Sequence, residues 1–228
     1  MKKLFFLAFF LTALVVGNAQ IAVKQDVKIN KDVMVEMETN YGKIVLLLYN
    51  DTPRHRDNFI KLASDGVFDG LLFHRVIPKF MIQGGDPESK GAPHDMLLGS
   101  GTLGYNVPAE FVKERFHKRG ALCAAREGDE VNPRKESSAS QFYIVQGRVW
   151  KPEELDMLEK RMKREFTPEQ REMYSTIGGT PYLDGDYTVF GEVIEGMEVV
   201  DKIASLPCDP NDRPQEDVVI EHMNVINK

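Results

Sequence analysis

Phe73-His74-Arg75-Val76-Ile77-Pro78-Lys79-Phe80-Met81-Ile82-Gln83-Gly84-Gly85-Asp86 sets Arg75 within a largely apolar and aromatic run. The run reads as a strand, a break at Pro78 and a second strand, closed by a Gln and a Gly-Gly pair. An arginine among Phe, Val, Ile and Met side chains is rare unless it is paired or employed. An apolar pocket with one aimed donor suits a ligand that is mostly apolar and offers one polar atom to grip.

The flanking sequence reads as short strands. Val33 to Thr39 alternates apolar and polar residues, Asn40-Tyr41-Gly42 is a turn, and Lys43 to Tyr49 is rich in Leu and β-branched residues, which together make a hairpin. Thr52-Pro53 gives an N-cap followed by Pro at the first helical position, and the helix runs to about Ser64 before Asp65-Gly66. A Gly/Pro/Ser-rich loop spans Pro87 to Asn106. Further strands are expected at Gly120 to Ala125, Gln141 to Val145, Thr188 to Val193 and Val218 to Ile226, with a helix from Met197 to Ser205. Many short strands with two helices point to a mainly β protein, a barrel or sandwich.

Pro152 to Ile177 departs from this pattern. It is highly charged, and Leu155, Leu158, Met162 and Phe166 form a narrow apolar stripe at helical spacing. Asp156/Lys160 and Glu159/Lys163 are spaced as i,i+4 ion pairs. Thr167-Pro168-Glu169-Gln170 reads as a capping box, and Gly178-Gly179 stops the helix. The segment is a helical hairpin inserted at about 148–179, its stripe packed on the β body, with its outer face open to a partner.

Lys2-Lys3, an uncharged apolar run from Leu4 to Val16, and the small residues Gly17-Asn18-Ala19 before Gln20 read as a signal peptide over residues 1–19. Residues 20–32 follow as a polar leader, and 33–228 suit one domain. The product is expected outside the cytoplasm, periplasmic or extracellular, with no membrane insertion after cleavage. The chain carries 29 Lys+Arg against 35 Asp+Glu, and without Lys2 and Lys3 the balance is 27 − 35 = −8. An acidic chain without a basic block argues against a nucleic-acid partner. Two cysteines, Cys123 and Cys208, are too few for a disulfide scaffold or a cysteine-rich zinc site. No H-E-x-x-H, Cys-x-x-Cys or G-x-S-x-G occurs, so no metal site is expected. Gly99-Ser100-Gly101-Thr102-Leu103-Gly104 fits a dinucleotide fingerprint, but it follows a loop and Pro108 blocks the helix that should come next.

The run Phe73 to Asp86 resembles the signature of cyclophilins, the peptidyl-prolyl cis-trans isomerases. Ser140-Gln141-Phe142-Tyr143-Ile144 is similar to that family's second block, and Leu183 to Gly191 to its third. The likeness covers about 33–146 and 180–226, in the family's order. It implies a closed eight-stranded antiparallel barrel capped by two helices, acting without a cofactor on proline-containing polypeptides. By the same resemblance Arg75 is the catalytic arginine and Gln83 orients it, while Phe80, Met81 and Leu183 line a proline pocket. Gln141 is a further polar contact, and the backbone at Ala125 and Arg126 bonds the substrate. Tyr143 replaces a common Phe and implies a more polar floor; Arg126 replaces Asn and implies a changed rim charge. Tyr187 stands where many members have His. Tyr182 stands where the eukaryotic type has a Trp, which implies weak cyclosporin binding. His74 reads as a hydrogen-bonded structural histidine.

The chemistry is consistent with these residue types. Rotation about an X-Pro bond faces a barrier of about 18–20 kcal/mol because the nitrogen lone pair is delocalised, and uncatalysed exchange takes roughly tens to hundreds of seconds. In the twisted state the lone pair localises on nitrogen. A guanidinium aimed there helps only in that state, and no nucleophile or metal is needed. Two rival readings are a proline-peptide binding module or chaperone with little turnover, and a scaffold whose function lies in the helical hairpin. The intact Arg75 and Gln83 speak against the first.

Overall fold

The computed structural model describes residues 33–227. The signal-peptide reading at 1–19 and the leader at 20–32 lie outside the described residues. Strands β1 (Val33–Thr39) and β2 (Gly42–Leu48) form the expected hairpin around Asn40 and Tyr41. Thr39 locks the turn, its hydroxyl donating to the Gly42 carbonyl at 2.7 Å and accepting from the Tyr41 N–H at 3.1 Å. Helix α1 (Pro53–Ser64) follows, then β3 (Arg75–Ile77) and β4 (Met81–Gly84). Strand β5 (Asn106–Val107) pairs only with β7 (Ser137–Ser138), while β6 (Ala121–Ala124) and β8 (Phe142–Val145) pair with each other in the larger sheet. Helices α2 (Pro152–Met162) and α3 (Pro168–Thr176) come next. Strand β9 (Val189–Glu195), helix α4 (Met197–Ala204) and strand β10 (Ile220–Asn227) complete the described chain.

Eight strands form one antiparallel sheet in the order β10-β1-β2-β9-β6-β8-β4-β3, a half-barrel. The end strands β3 and β10 are not laddered to each other. The seam is bridged just before β3, where Leu72 pairs with Val219 and the Phe73 N–H donates to the Val218 carbonyl at 2.9 Å. Strand alternation fills the inside of the curve with Val35, Met37, Ile44, Leu46, Ile82, Leu122 and Ile144. Helix α1 lays Phe59, Leu62 and Ala63 on this core, and α4 adds Val199, Val200 and Ile203. At its centre Phe142 meets Phe59, Phe68 and Phe73 edge-on at 5.5, 5.7 and 5.8 Å, the favoured aromatic geometry.

Helix α1 is not capped by Thr52, whose hydroxyl donates back to the Tyr49 carbonyl at 3.4 Å. Glu110 performs that task from a distant loop, accepting from the Arg54 and His55 N–H groups at 3.1 and 3.0 Å and from the His55 ring at 2.7 Å. A carboxylate there also meets the positive end of the helix.

The stripe does not rest on the sheet: Leu155 and Leu158 of α2 are buried with Phe166, which lies between the helices, and Tyr174 of α3, around the loop residue Phe116. The expected i,i+4 ion pairs do not form. Arg171 on α3 takes both carboxylates instead, Asp156 at 2.6 Å and Glu159 at 2.8 Å. Lys163 has left the helix in a left-handed conformation at φ 53°, and a planar guanidinium spans two acceptors better than flexible lysines do. The Thr167 capping box is present, with its hydroxyl accepting from the Gln170 N–H at 3.2 Å. Cys123 is buried, Cys208 is half-buried, and both are free thiols.

Candidate active site

The register of three strands builds the site. Arg75 on β3 faces Gln83 on β4, Gln83 faces Tyr143 on β8, and Tyr143 faces Cys123 on β6. Directly opposed residues share a face, so this row stands together on the outer side of the sheet. Val76, Ile82 and Ile144 alternate into the core behind it. Met81, two residues from Gln83, joins the outer face, where it clusters with Ala125, Tyr143 and Val189 beside Phe80, Leu183 and Tyr187. Phe80 sits at the turn tip after Lys79, whose φ of 62° is left-handed. The Phe80 carbonyl accepts from the Gln146 and Gly147 N–H groups, both at 3.0 Å, which fixes the tip.

A cavity of about 720 Å³ opens on this face. Arg75, Phe80, Met81, Gln83, Ala125, Arg126, Tyr143, Leu183 and Tyr187 all line it. Gln141 lines an adjoining hollow of about 410 Å³ that shares Gln83, Ala125 and Arg126 with the first. Tyr182 lines neither; its ring lies behind Phe80 at 6.0 Å and meets Trp150 at 6.1 Å. It therefore backs the pocket wall rather than facing a ligand.

One polar relay orients the arginine. Arg75 Nη1 donates to Gln83 Oε1 at 3.4 Å, and Gln83 Nε2 donates to Gln141 Oε1 at 3.1 Å. Gln141 Nε2 then donates to the carbonyls of Gly99 and Gly101, each at 3.0 Å. The Gly99 and Gly101 N–H groups donate in turn to the buried Asp86 carboxylate. The glycines of the false dinucleotide fingerprint thus serve as a backbone clamp. A Cβ at Gly101 would lie 1.9 Å from Asp86 Oδ1, so only glycine fits. On the other side Asp212 Oδ2 lies 3.6 Å from Arg75 Nε.

Four expectations need correction. The Tyr143 hydroxyl does not make the floor polar: it donates downward to His117 Nε2 at 3.0 Å and presents its ring. Arg126 adds no free rim charge. Its side chain stacks on Tyr187 at 4.5 Å, donates to the Asp186 carbonyl at 2.7 Å and pairs with Asp129 at 2.6 Å. The Ala125 N–H and C=O are both used internally, bonded to Gln141 and Ser138 at 3.0 and 2.8 Å, which leaves the Arg126 main chain as the open pairing edge. His74 is buried, but neither ring nitrogen has a hydrogen-bond partner among the described residues. Burial lowers its pKa despite the nearby Asp86 carboxylate.

Four contributions were not anticipated from sequence. Met96, Leu97 and Leu98 form a further apolar wall, visible in retrospect as an apolar triplet inside a Gly/Pro/Ser-rich loop. Arg213 anchors that loop, donating to the Pro93 and Ala92 carbonyls at 2.7 and 3.0 Å. Asp212 and His117 carried no local sequence signal.

The fold agrees with comparison to known proteins. Residues 34–225 match the family model described as cyclophilin type peptidyl-prolyl cis-trans isomerase/CLD. The chain belongs to the cyclophilin-type peptidyl-prolyl cis-trans isomerase family. It is 36% identical over 200 residues to a Staphylococcus haemolyticus protein provisionally named a peptidyl-prolyl cis-trans isomerase, covering 87% of this chain and 94% of that one. A Streptococcus pyogenes protein provisionally named a bifunctional phosphatase/peptidyl-prolyl cis-trans isomerase is 37% identical over 197 residues, covering 85% of this chain but only 38% of that longer one. A crystal structure of a Cryptosporidium parvum cyclophilin type isomerase shares the fold, with a TM-score of 0.64 at 24% identity, covering 86% of this chain and 99% of the other.

Proposed function

We propose that this chain accelerates rotation about X-Pro bonds in exported polypeptides, with Arg75 as the catalytic residue. The observation that carries the assignment is the relay from Arg75 through Gln83 and Gln141 to the Gly99 and Gly101 carbonyls, set beside an apolar seat. The proline ring rests against Phe80, Met81, Tyr143 and Leu183. The Arg126 main chain pairs with the substrate backbone, and the Arg75 guanidinium donates to the prolyl nitrogen as its lone pair localises. A donor held in place before the reaction is not reoriented during it, which makes its contribution specific to the twisted state. A protease-coupled assay on an Ala-Pro peptide tests this. Exchange well above the uncatalysed rate is expected, and a rate equal to it would leave only the binding-module reading.

Export rests on Lys2-Lys3, the apolar run Leu4 to Val16 and the small residues before Gln20. Mass analysis of the protein recovered from cells of its own type should show a mature chain beginning at Gln20. A chain retaining residues 1–19 in the cytoplasmic fraction would count against export.

A further inference from the structure

We infer that the helical pair α2–α3 sets the geometry of the proline seat, through Tyr174, Asp184 and His117 as positioning residues beneath Tyr143. The inference rests on the seat assigned above and adds the residues that hold it from below.

A continuous chain of bonds links helix to floor. The Tyr174 hydroxyl donates to Asp184 Oδ2 at 2.6 Å. Asp184 Oδ1 accepts from His117 Nδ1 at 2.8 Å and from the His117 main-chain N–H at 2.9 Å. His117 Nε2 then accepts from the Tyr143 hydroxyl at 3.0 Å. The direction is that of the neutral imidazole: with Nδ1–H given to the carboxylate, Nε2 is left to accept. Burial raises the hydroxyl pKa of both tyrosines well above the ordinary value, so both keep the protons they donate.

All four side chains are buried, so water does not compete for these bonds, and breaking one strands a polar group in the interior. The chain therefore fixes the Tyr143 ring through its far end. It also fixes Asp184, whose neighbour Leu183 is a wall of the same seat. A second route runs in parallel. Trp150, just before α2, donates its indole N–H to the Gly179 carbonyl at 2.9 Å and supports Tyr182, which supports Phe80. Floor and wall both rest on the helical pair. A seat that tilts shifts the prolyl nitrogen away from Arg75, and small misplacements of reacting groups carry large rate penalties.

Tyr174→Phe detaches α3 from this chain without touching the cavity. It is expected to lower kcat/KM on an Ala-Pro peptide by about 3–10-fold, mainly through kcat, as misplacement of reacting groups does. The aromatic NMR signals of the Tyr143 ring should shift with it. His117→Gln, which keeps a donor and an acceptor, should retain more activity than His117→Leu, and this comparison decides the matter if Tyr174→Phe does not fold. A folded Tyr174→Phe protein with unchanged kcat/KM and unchanged Tyr143 signals would overturn the inference. A wild type without isomerase activity would sink the seat assignment instead, and the ring signals would still decide whether α3 positions Tyr143.

Discussion

Replacing Arg75 with Ala is expected to lower kcat/KM for prolyl peptides by about 10²–10³-fold, the loss typical of removing one preorganised donor from a reacting centre. The apolar seat survives the change, because Phe80, Met81, Tyr143 and Leu183 do not depend on Arg75 for their packing. Peptide binding should weaken little while turnover collapses, since the lost bond forms fully only in the twisted state. Stability should hardly move: the Arg75 side chain is 42% exposed and its pairing with Asp212 is a surface contact. Arg75→Lys separates charge from shape. It keeps a cation but loses the planar fork that reaches Gln83 and the prolyl nitrogen together, so it should recover only part of the rate. The protease-coupled assay, with peptide binding followed separately, reads all three proteins. An Arg75→Ala rate within a few-fold of wild type would remove Arg75 from the mechanism.

The largest stability loss is expected at Asp86. Its carboxylate is fully buried and accepts from the N–H groups of Glu88 at 2.8 Å, Gly101 at 3.3 Å, and Gly99. Asp86→Ala leaves those donors without a partner; Gly101 alone of the three residues is buried, so the loss is about 1–3 kcal/mol for its N–H, with a smaller share from Glu88 and Gly99, which water can reach. Activity falls with it, because the Gly99–Gly101 clamp that orients Gln141 loses its anchor. Asp86→Asn keeps one acceptor oxygen and should lose roughly half as much. Urea denaturation of the three proteins measures the difference. An Asp86→Ala protein as stable as wild type would show that the loop holds its shape without the carboxylate.

The parts of the fold that were legible share a physical property: their signal is local. Alternation in Val33 to Thr39, Pro53 at a helix start and the Thr167 capping box are set by neighbours in sequence, and each formed as expected. Strands β5 and β7 are two residues long and exist only because they pair with each other, so no period could reveal them. The site followed the same division. The family resemblance singled out Arg75, Gln83 and Met81, and the strand register places them on one face. Which way the Tyr143 hydroxyl points, what Arg126 stacks on and where the Tyr182 ring lies depend on His117, Tyr187 and Trp150, all distant in sequence. The glycines at 99 and 101 were a true signal of close backbone approach, and only the partner, Asp86 rather than a phosphate, was hidden.

The pairing of β1 with β10 joins the first described strand to the last. Until Ile220–Asn227 leaves the ribosome, β1 offers one unpaired edge to its surroundings, and Asn40 lacks the Val219 and Asp217 backbone partners that hold it at 2.9 Å. The sheet therefore cannot close its β1 edge before Ile220–Asn227 is made, so its completion depends on a contact between segments far apart in sequence.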